Sequence, residues 1–170
     1  MKLIVHPELC TGCRMCEMEC AYAHERRFGT SISRVRVSKL EDTGIDYPVM
    51  CQQCPNAPCV EACPEGALRR TGAGTIAVDA ALCRRCGACV EACPFGAMNL
   101  HPKTGLPISC DLCDGNPSCV EGCPTGALTW EEPSKPKATQ AQGLALAAES
   151  KRAAFAEKMT KKLVEDWGAE

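Results

Sequence analysis

Aromatic residues make up only 4% of this 170-residue chain: three Phe, two Trp and two Tyr. Little material is therefore present for a large core of bulky side chains. No apolar run approaches the ~18–20 residues that a bilayer-spanning helix requires, so direct membrane insertion is not expected. Neither G-x-G-x-x-G nor a P-loop pattern occurs, which argues against nicotinamide binding or nucleotide hydrolysis by this chain. The histidines, His6, His24 and His101, stand singly and read as strand or loop residues rather than metal ligands. No catalytic constellation emerges, so an enzyme in its own right is not expected. The segment Met1 to Leu9 holds no apolar stretch of secretory length. The expected compartment is the cytoplasm, where disulfides are rare.

Cysteine lies at the other extreme, with sixteen residues in four groups of four. They are Cys10, Cys13, Cys16, Cys20; Cys51, Cys54, Cys59, Cys63; Cys83, Cys86, Cys89, Cys93; and Cys110, Cys113, Cys119, Cys123. Each group opens with C-x2-C and closes with C-x3-C, and Pro64, Pro94 and Pro124 follow three of the closing cysteines. This is the bacterial iron–sulfur run C-x2-C-x2-C-x3-C-P, slightly stretched in two groups. Structural zinc prefers two separated cysteine pairs that close a tetrahedron, a poorer match to thiols in immediate succession. The pattern predicts four 4Fe–4S clusters held by all sixteen cysteines, and hence an electron conductor. With four cysteines per cluster no coordination site is left open, so Lewis-acid chemistry at iron is not expected. The formal charge of −2 counts thiols as neutral. Sixteen thiolates around four cores of about +2 each would add about −8, for roughly −10 when loaded. That charge argues against nucleic acid and favours a partner with a basic docking patch.

An internal repeat runs through the last three groups. Val60-Glu61-Ala62-Cys63-Pro64-Glu65-Gly66-Ala67 returns as Val90-Glu91-Ala92-Cys93-Pro94-Phe95-Gly96-Ala97 and as Val120-Glu121-Gly122-Cys123-Pro124-Thr125-Gly126-Ala127. In each unit a short helical turn carries the x3 spacing, proline ends the turn, and Gly-Ala starts the chain back. Alternating stretches at 2–6, 34–38, 75–79 and 127–131 predict small strands, and the turns at Thr71 to Gly74 and Thr104-Gly105 predict hairpins. The expected fold is α+β, with short hairpins and single-turn helices packed around clusters. Arg14, Arg26, Arg27, Arg34 and Arg36 gather positive charge near the first group, as counter-charge for a cluster or as a docking edge. Composition divides the chain into a cluster domain at 1–131, a proline-containing linker at 132–138 and a helical tail at 139–170. Leu144, Ala148, Phe155, Met159, Leu163 and Trp167 draw an apolar stripe on that tail. It could pack on its own chain, on a partner subunit, or on a neighbouring copy.

With C-x2-C-x4-C-x3-C-P second and C-x2-C-x5-C-x3-C-P fourth, residues 1–131 resemble the four-cluster ferredoxin-like subunits of molybdenum and tungsten oxidoreductases. Dimethyl sulfoxide reductase, formate dehydrogenase and hydrogenase-linked complexes contain such subunits. The stretch from Met50 to Cys59 is particularly similar to them. The chain's small size also makes it similar to the ferredoxin-like subunit beside tungsten-containing aldehyde oxidoreductase. The resemblance implies two interlocked ferredoxin-like modules with a nested exchange of ligands. Cys10, Cys13 and Cys16 would share a cluster with Cys123, and Cys110, Cys113 and Cys119 one with Cys20. Cys51, Cys54 and Cys59 would take Cys93, and Cys83, Cys86 and Cys89 would take Cys63. It also implies a relay of single electrons between a catalytic Mo/W subunit and a second redox partner. The rival readings are a freestanding soluble polyferredoxin, an assembly scaffold with structural clusters, and copies joined end to end through the tail.

Overall fold

A cysteine, glycine or proline interrupts the chain every few residues, and regular structure comes in short pieces as a result. The computed structural model describes residues 1–40 and 44–132. Except for Glu132, the expected linker and tail helix lie outside the described residues. The elements in order are β1 (Lys2–Val5), α1 (Met15–Glu25), β2 (Arg36–Leu40), β3 (Ile45–Val49), α2 (Pro58–Glu61) and β4 (Leu68–Arg70). They continue as β5 (Ile76–Val78), α3 (Ala88–Glu91), β6 (Asn99–Leu100), β7 (Pro107–Ile108), α4 (Ser118–Glu121) and β8 (Leu128–Glu131). The strands form antiparallel pairs, β1 with β8, β2 with β3, β4 with β5 and β6 with β7. The class is α+β.

The stretches expected at 2–6, 34–38, 75–79 and 127–131 contain β1, β2, β5 and β8, with β2 displaced two residues toward its C-terminus. Of the other strands, β4 is three residues long and β6 and β7 two each, too short for usable alternation, and β3 has Pro48 within it. The turns at 71–74 and 104–105 join β4 to β5 and β6 to β7, with Gly74 (φ +85°) and Gly105 (φ +69°) in the left-handed region that glycine favours.

One expectation needs correcting. The expected fold has single-turn helices around the clusters, whereas α1, which carries Cys16 and Cys20 of the first group outside the repeat, spans eleven residues. Cys20 is followed by Ala21 instead of proline, so nothing stops the helix until Arg26, whose left-handed backbone (φ 54°) donates its N–H to the Tyr22 carbonyl. The extra length packs α1 against α4, as α2 packs against α3. It also accounts for Gly122, where the other two repeats have Ala62 and Ala92. A Cβ at Gly122 would lie 2.2 Å from Glu19 Cγ on α1.

Two apolar clusters fill the interior. One joins Val5, Val35, Val37, Met50 and Leu128 to Cys16, Cys20 and Cys119; the other joins Ala57, Ala67, Leu68, Ile76 and Met98 to Cys59 and Cys89. The first exists because β1 pairs with β8, from Lys2 opposite Glu131 to Val5 opposite Leu128, which returns the fourth cysteine group to the first. Glu17, almost fully buried, accepts the Val37 N–H at 2.6 Å and ties α1 to β2.

Candidate metal centres

Each cysteine run is shaped by the same local device. The second residue after the opening cysteine is left-handed in all four: Gly12 (φ 65°), Gln53 (49°), Arg85 (60°) and Leu112 (62°). That reversal of the backbone turns the first two sulfurs of the run toward one point. Only the first run uses glycine, where a Cβ would also lie 2.5 Å from the Asp46 carboxylate. In the others a side chain is strained by about 1–3 kcal/mol, so the surroundings must hold it. The third cysteine is always the second residue of a helix, namely Cys16 on α1, Cys59 on α2, Cys89 on α3 and Cys119 on α4.

These constraints bring thiols of different runs together. One pocket has Cys51, Cys54, Cys59 and Cys93 in its lining. A second is lined in part by Cys20, Cys110, Cys113 and Cys119, and a third by Cys63, Cys83, Cys86 and Cys89. The remaining four also lie within electrostatic reach. Cys10 is raised by burial first and then by Asp46, Cys13 and Cys123, and Cys16 feels both Cys10 and Cys123.

The thiols are energetically poised for a cationic guest. Burial, with help from Glu17 and Cys10, pushes the Cys16 thiol up to about 12. Burial, with Cys20, Asp111 and Cys51, does the same for Cys110, and Cys119 is driven higher still by burial and by the charges of Cys110, Cys20, Cys113 and Cys16. Four bare thiolates cannot share such a space, but an iron core supplying positive charge would let them ionise. Sets of four soft sulfur donors converging on one space fit a 4Fe–4S cluster.

The closing cysteines receive hydrogen bonds as acceptors. The Ala67 N–H donates to Cys63 Sγ and the Ala97 N–H to Cys93 Sγ, both at 3.3 Å. Burial raises the Cys123 thiol, but the N–H groups of Leu128, Thr125 and Ala127 and the Thr125 hydroxyl outweigh it and lower the value. At Cys20 burial is likewise outweighed, here by His24, the Arg34 N–H and Ser33.

His24, which the sequence suggests is a strand or loop residue, lies on α1 with both ring nitrogens engaged. Nδ1 is 2.8 Å from the Cys20 carbonyl oxygen, and Nε2 is 3.0 Å from each Asp111 oxygen. The Asp111 hydrogen bond, followed by Cys113 and Cys20, raises the imidazole to about 12. Burial works against Asp111, yet His24, the Cys113 N–H and Arg34 bring its carboxyl down to about 2. His6 instead bonds Thr129 across β1 and β8 (3.0 Å), and His101 bonds Glu25 at 2.6 Å. The sequence did carry a signal for His24: Cys20 lacks the Pro-x-Gly-Ala return that supplies a donor to the other closing sulfurs.

The arginines near the first group have separate tasks. Arg34 donates its backbone N–H to Cys20 Sγ (3.2 Å) and places Nε 3.8 Å from Asp111, as counter-charge. Arg14 lies 4.0 Å from Glu17, Arg27 pairs with Glu25 (2.9 Å), and Arg36 donates to the Ser31 carbonyl (2.9 Å). Arg26 lies over the Tyr22 ring, 5.4 Å from its centroid.

Comparison with known proteins agrees with this chemistry. The family described as "4Fe-4S dicluster domain" matches residues 43–132, and a "4Fe-4S binding domain" matches residues 7–23. The aliphatic sulfonate oxidoreductase, polyferredoxin-like subunit of Pyrococcus furiosus is 44% identical over 89 residues, 51% of this chain and 50% of its own length. Formate hydrogenlyase subunit 2 of Escherichia coli strain K12 is 33% identical over 84 residues, 49% of this chain and 40% of its own. The chain thus spans half or less of the length of these relatives. The BamBC complex of benzoyl coenzyme A reductase, as isolated, contains a chain 25% identical with a TM-score of 0.47, covering 96% of both. With its dicluster match extending over more than half of its residues, this chain belongs to the 4Fe-4S dicluster domain family of iron–sulfur electron-transfer proteins.

Proposed function

We propose that this chain is a non-catalytic relay of four 4Fe–4S clusters, passing single electrons between a catalytic molybdenum or tungsten subunit and a second redox partner. The ligand sets of the reading are Cys10, Cys13, Cys16, Cys123; Cys20, Cys110, Cys113, Cys119; Cys51, Cys54, Cys59, Cys93; and Cys63, Cys83, Cys86, Cys89. Each cluster supplies a site that takes up and gives back one electron. The protein holds the sites in a row, keeps them apart in apolar surroundings, and tunes them by hydrogen bonds to sulfur.

One observation carries this reading. The thiol sets succeed one another, and the most exposed thiols belong to the two outer sets. Cys119 feels the charge of Cys16, and Cys110 that of Cys51, while Cys59 and Cys89 share one apolar cluster. That order runs from the Cys10 set through the Cys20 and Cys51 sets to the Cys63 set, as two interlocked halves. Of the sixteen cysteines only Cys13 and Cys86 are exposed, one at each end. A structural scaffold has no need of open ends, whereas a conductor needs two. The relatives named as subunits of an oxidoreductase and a hydrogenlyase support a place in a larger complex.

Anaerobic loading should give about 16 iron atoms and four one-electron reductions per chain. Cys123→Ser should disturb the centre of Cys10, Cys13 and Cys16 in the EPR spectrum and spare that of Cys110. Disturbance of the Cys110 centre instead would refute the exchange of ligands, and clusters that cannot be reduced would refute conduction. Metal analysis of the native complex for molybdenum and tungsten tests the partner.

A further inference from the structure

The closing cysteine of the first run sits in surroundings unlike those of the other three. Cys63, Cys93 and Cys123 receive neutral donors from their own Pro-x-Gly-Ala returns. Cys20 has no such return, because α1 runs on past it; its backbone donor comes from Arg34, and the His24 and Arg34 side chains stand nearby. Its Sγ accepts the Arg34 N–H at 3.2 Å and lies 3.9 Å from His24 Nδ1. With the Cys20 carbonyl before one ring nitrogen and the Asp111 carboxylate before the other, His24 donates twice, which only the imidazolium can do. Asp111 also accepts the Cys113 N–H at 3.0 Å. A single carboxylate therefore clamps the cation on α1 to the loop that carries Cys110 and Cys113, where Leu112, Cys113 and Asp114 are all left-handed.

We propose that His24, clamped by Asp111 and backed by Arg34, is a positioning residue that raises the reduction potential of the centre formed by Cys20, Cys110, Cys113 and Cys119. This rests on the four-cluster reading above. Reduction adds a negative charge to a sulfur-rich site, and a fixed cation beside it stabilises the reduced form more than the oxidised form. His24 and Arg34 together outweigh the charge of Asp111. Their side chains are 14% and 21% exposed, so solvent screens them only in part. Elsewhere, Arg70 caps the carbonyls of Gln53, Cys54 and Pro55, and Arg84 pairs with Glu65, but both are exposed and more fully screened. The clamped site is next to the Cys10 end of the row, and it would draw electrons inward from that end.

The test is an EPR-monitored redox titration of the anaerobic full-length holoprotein, with iron measured in parallel. In His24→Gln one of four potentials should fall by about tenfold in its reduction equilibrium, ~59 mV for one electron, with iron content and the other three unchanged. All four staying within about twofold of wild type, shifting together, or moving upward would overturn the proposal. If His24→Gln loses iron, Arg34→Gln decides, since it keeps the backbone N–H on Cys20. That variant should lower the same single potential, and no movement overturns the proposal. A wild-type protein that accepts fewer than four electrons would instead defeat the four-cluster reading and leave the role of His24 at its own centre to be judged by the same shift.

Discussion

His101 Nδ1 accepts the backbone N–H groups of Lys103 (3.2 Å) and Thr104 (3.1 Å), while Nε2 donates to Glu25 Oε1 at 2.6 Å. All its hydrogen-bonding capacity is used in joining the β6–β7 turn to the end of α1, and hence one half of the molecule to the other. His101→Ala should cost about 1–3 kcal/mol in denaturant unfolding of the holoprotein, because two N–H groups lose their acceptor and Glu25 is left with Arg27 alone. Lys103→Ala, on the exposed face of the same turn, should stay within about 0.5 kcal/mol. An unchanged midpoint for His101→Ala would show that the two halves are held together by other contacts. Three histidines that looked alike in the sequence thus differ by surroundings: His6 joins strand ends, His101 joins halves, and His24 sits beside a thiol set.

At the scale of elements, the decisive difference is a single missing proline. Cys63, Cys93 and Cys123 each lie two residues past the end of a four-residue helix, whereas Cys20 lies inside α1. Placing the absent proline there, as Ala21→Pro, should destabilise the protein by ~3 kcal/mol or more in thermal unfolding, since Ala21 is fully buried within the helix. Pro94→Ala should cost far less, because α3 has already ended. The α1–α4 contact gives a second prediction. Gly122→Ala should lose about 1–3 kcal/mol by overpacking against Glu19, measured in the same experiment, and a neutral result would mean that the helices can separate without cost. The three-fold repeat made α2, α3 and α4 legible in the sequence, proline included. The length of α1 was not, since the x3 spacing of its cysteines is equally consistent with one turn or three.

For the whole molecule, cohesion is expected to depend on the metal. Both apolar clusters are made of valine, leucine, isoleucine, alanine and methionine filled out with cysteine, and no Phe or Trp is among their buried residues. Cores so small do not hold a chain of this length by themselves. Removing iron with a chelator under anaerobic, reducing conditions should abolish hydrogen-exchange protection in both clusters, and restoring iron and sulfide should return it. Protection that survives chelation would show that the cores suffice alone. Among the described residues no helix is long and apolar enough to cross a membrane.

The chemistry of the chain is written in its sequence. Sixteen thiols at those spacings admit few metal centres, and the spacing is a local property that needs no fold to be read. The strands β1, β2, β5 and β8 and two turns were legible for the same reason, whereas β3, with Pro48 inside it, was not. What depended on the tertiary structure was company: which run lends its closing thiol to which cavity, which two cysteines are the most exposed, and which histidine stands beside a thiol set. Those outcomes follow from the pairing of β1 with β8 and from the packing of α1 on α4, contacts between residues more than a hundred apart, and no local pattern encodes them.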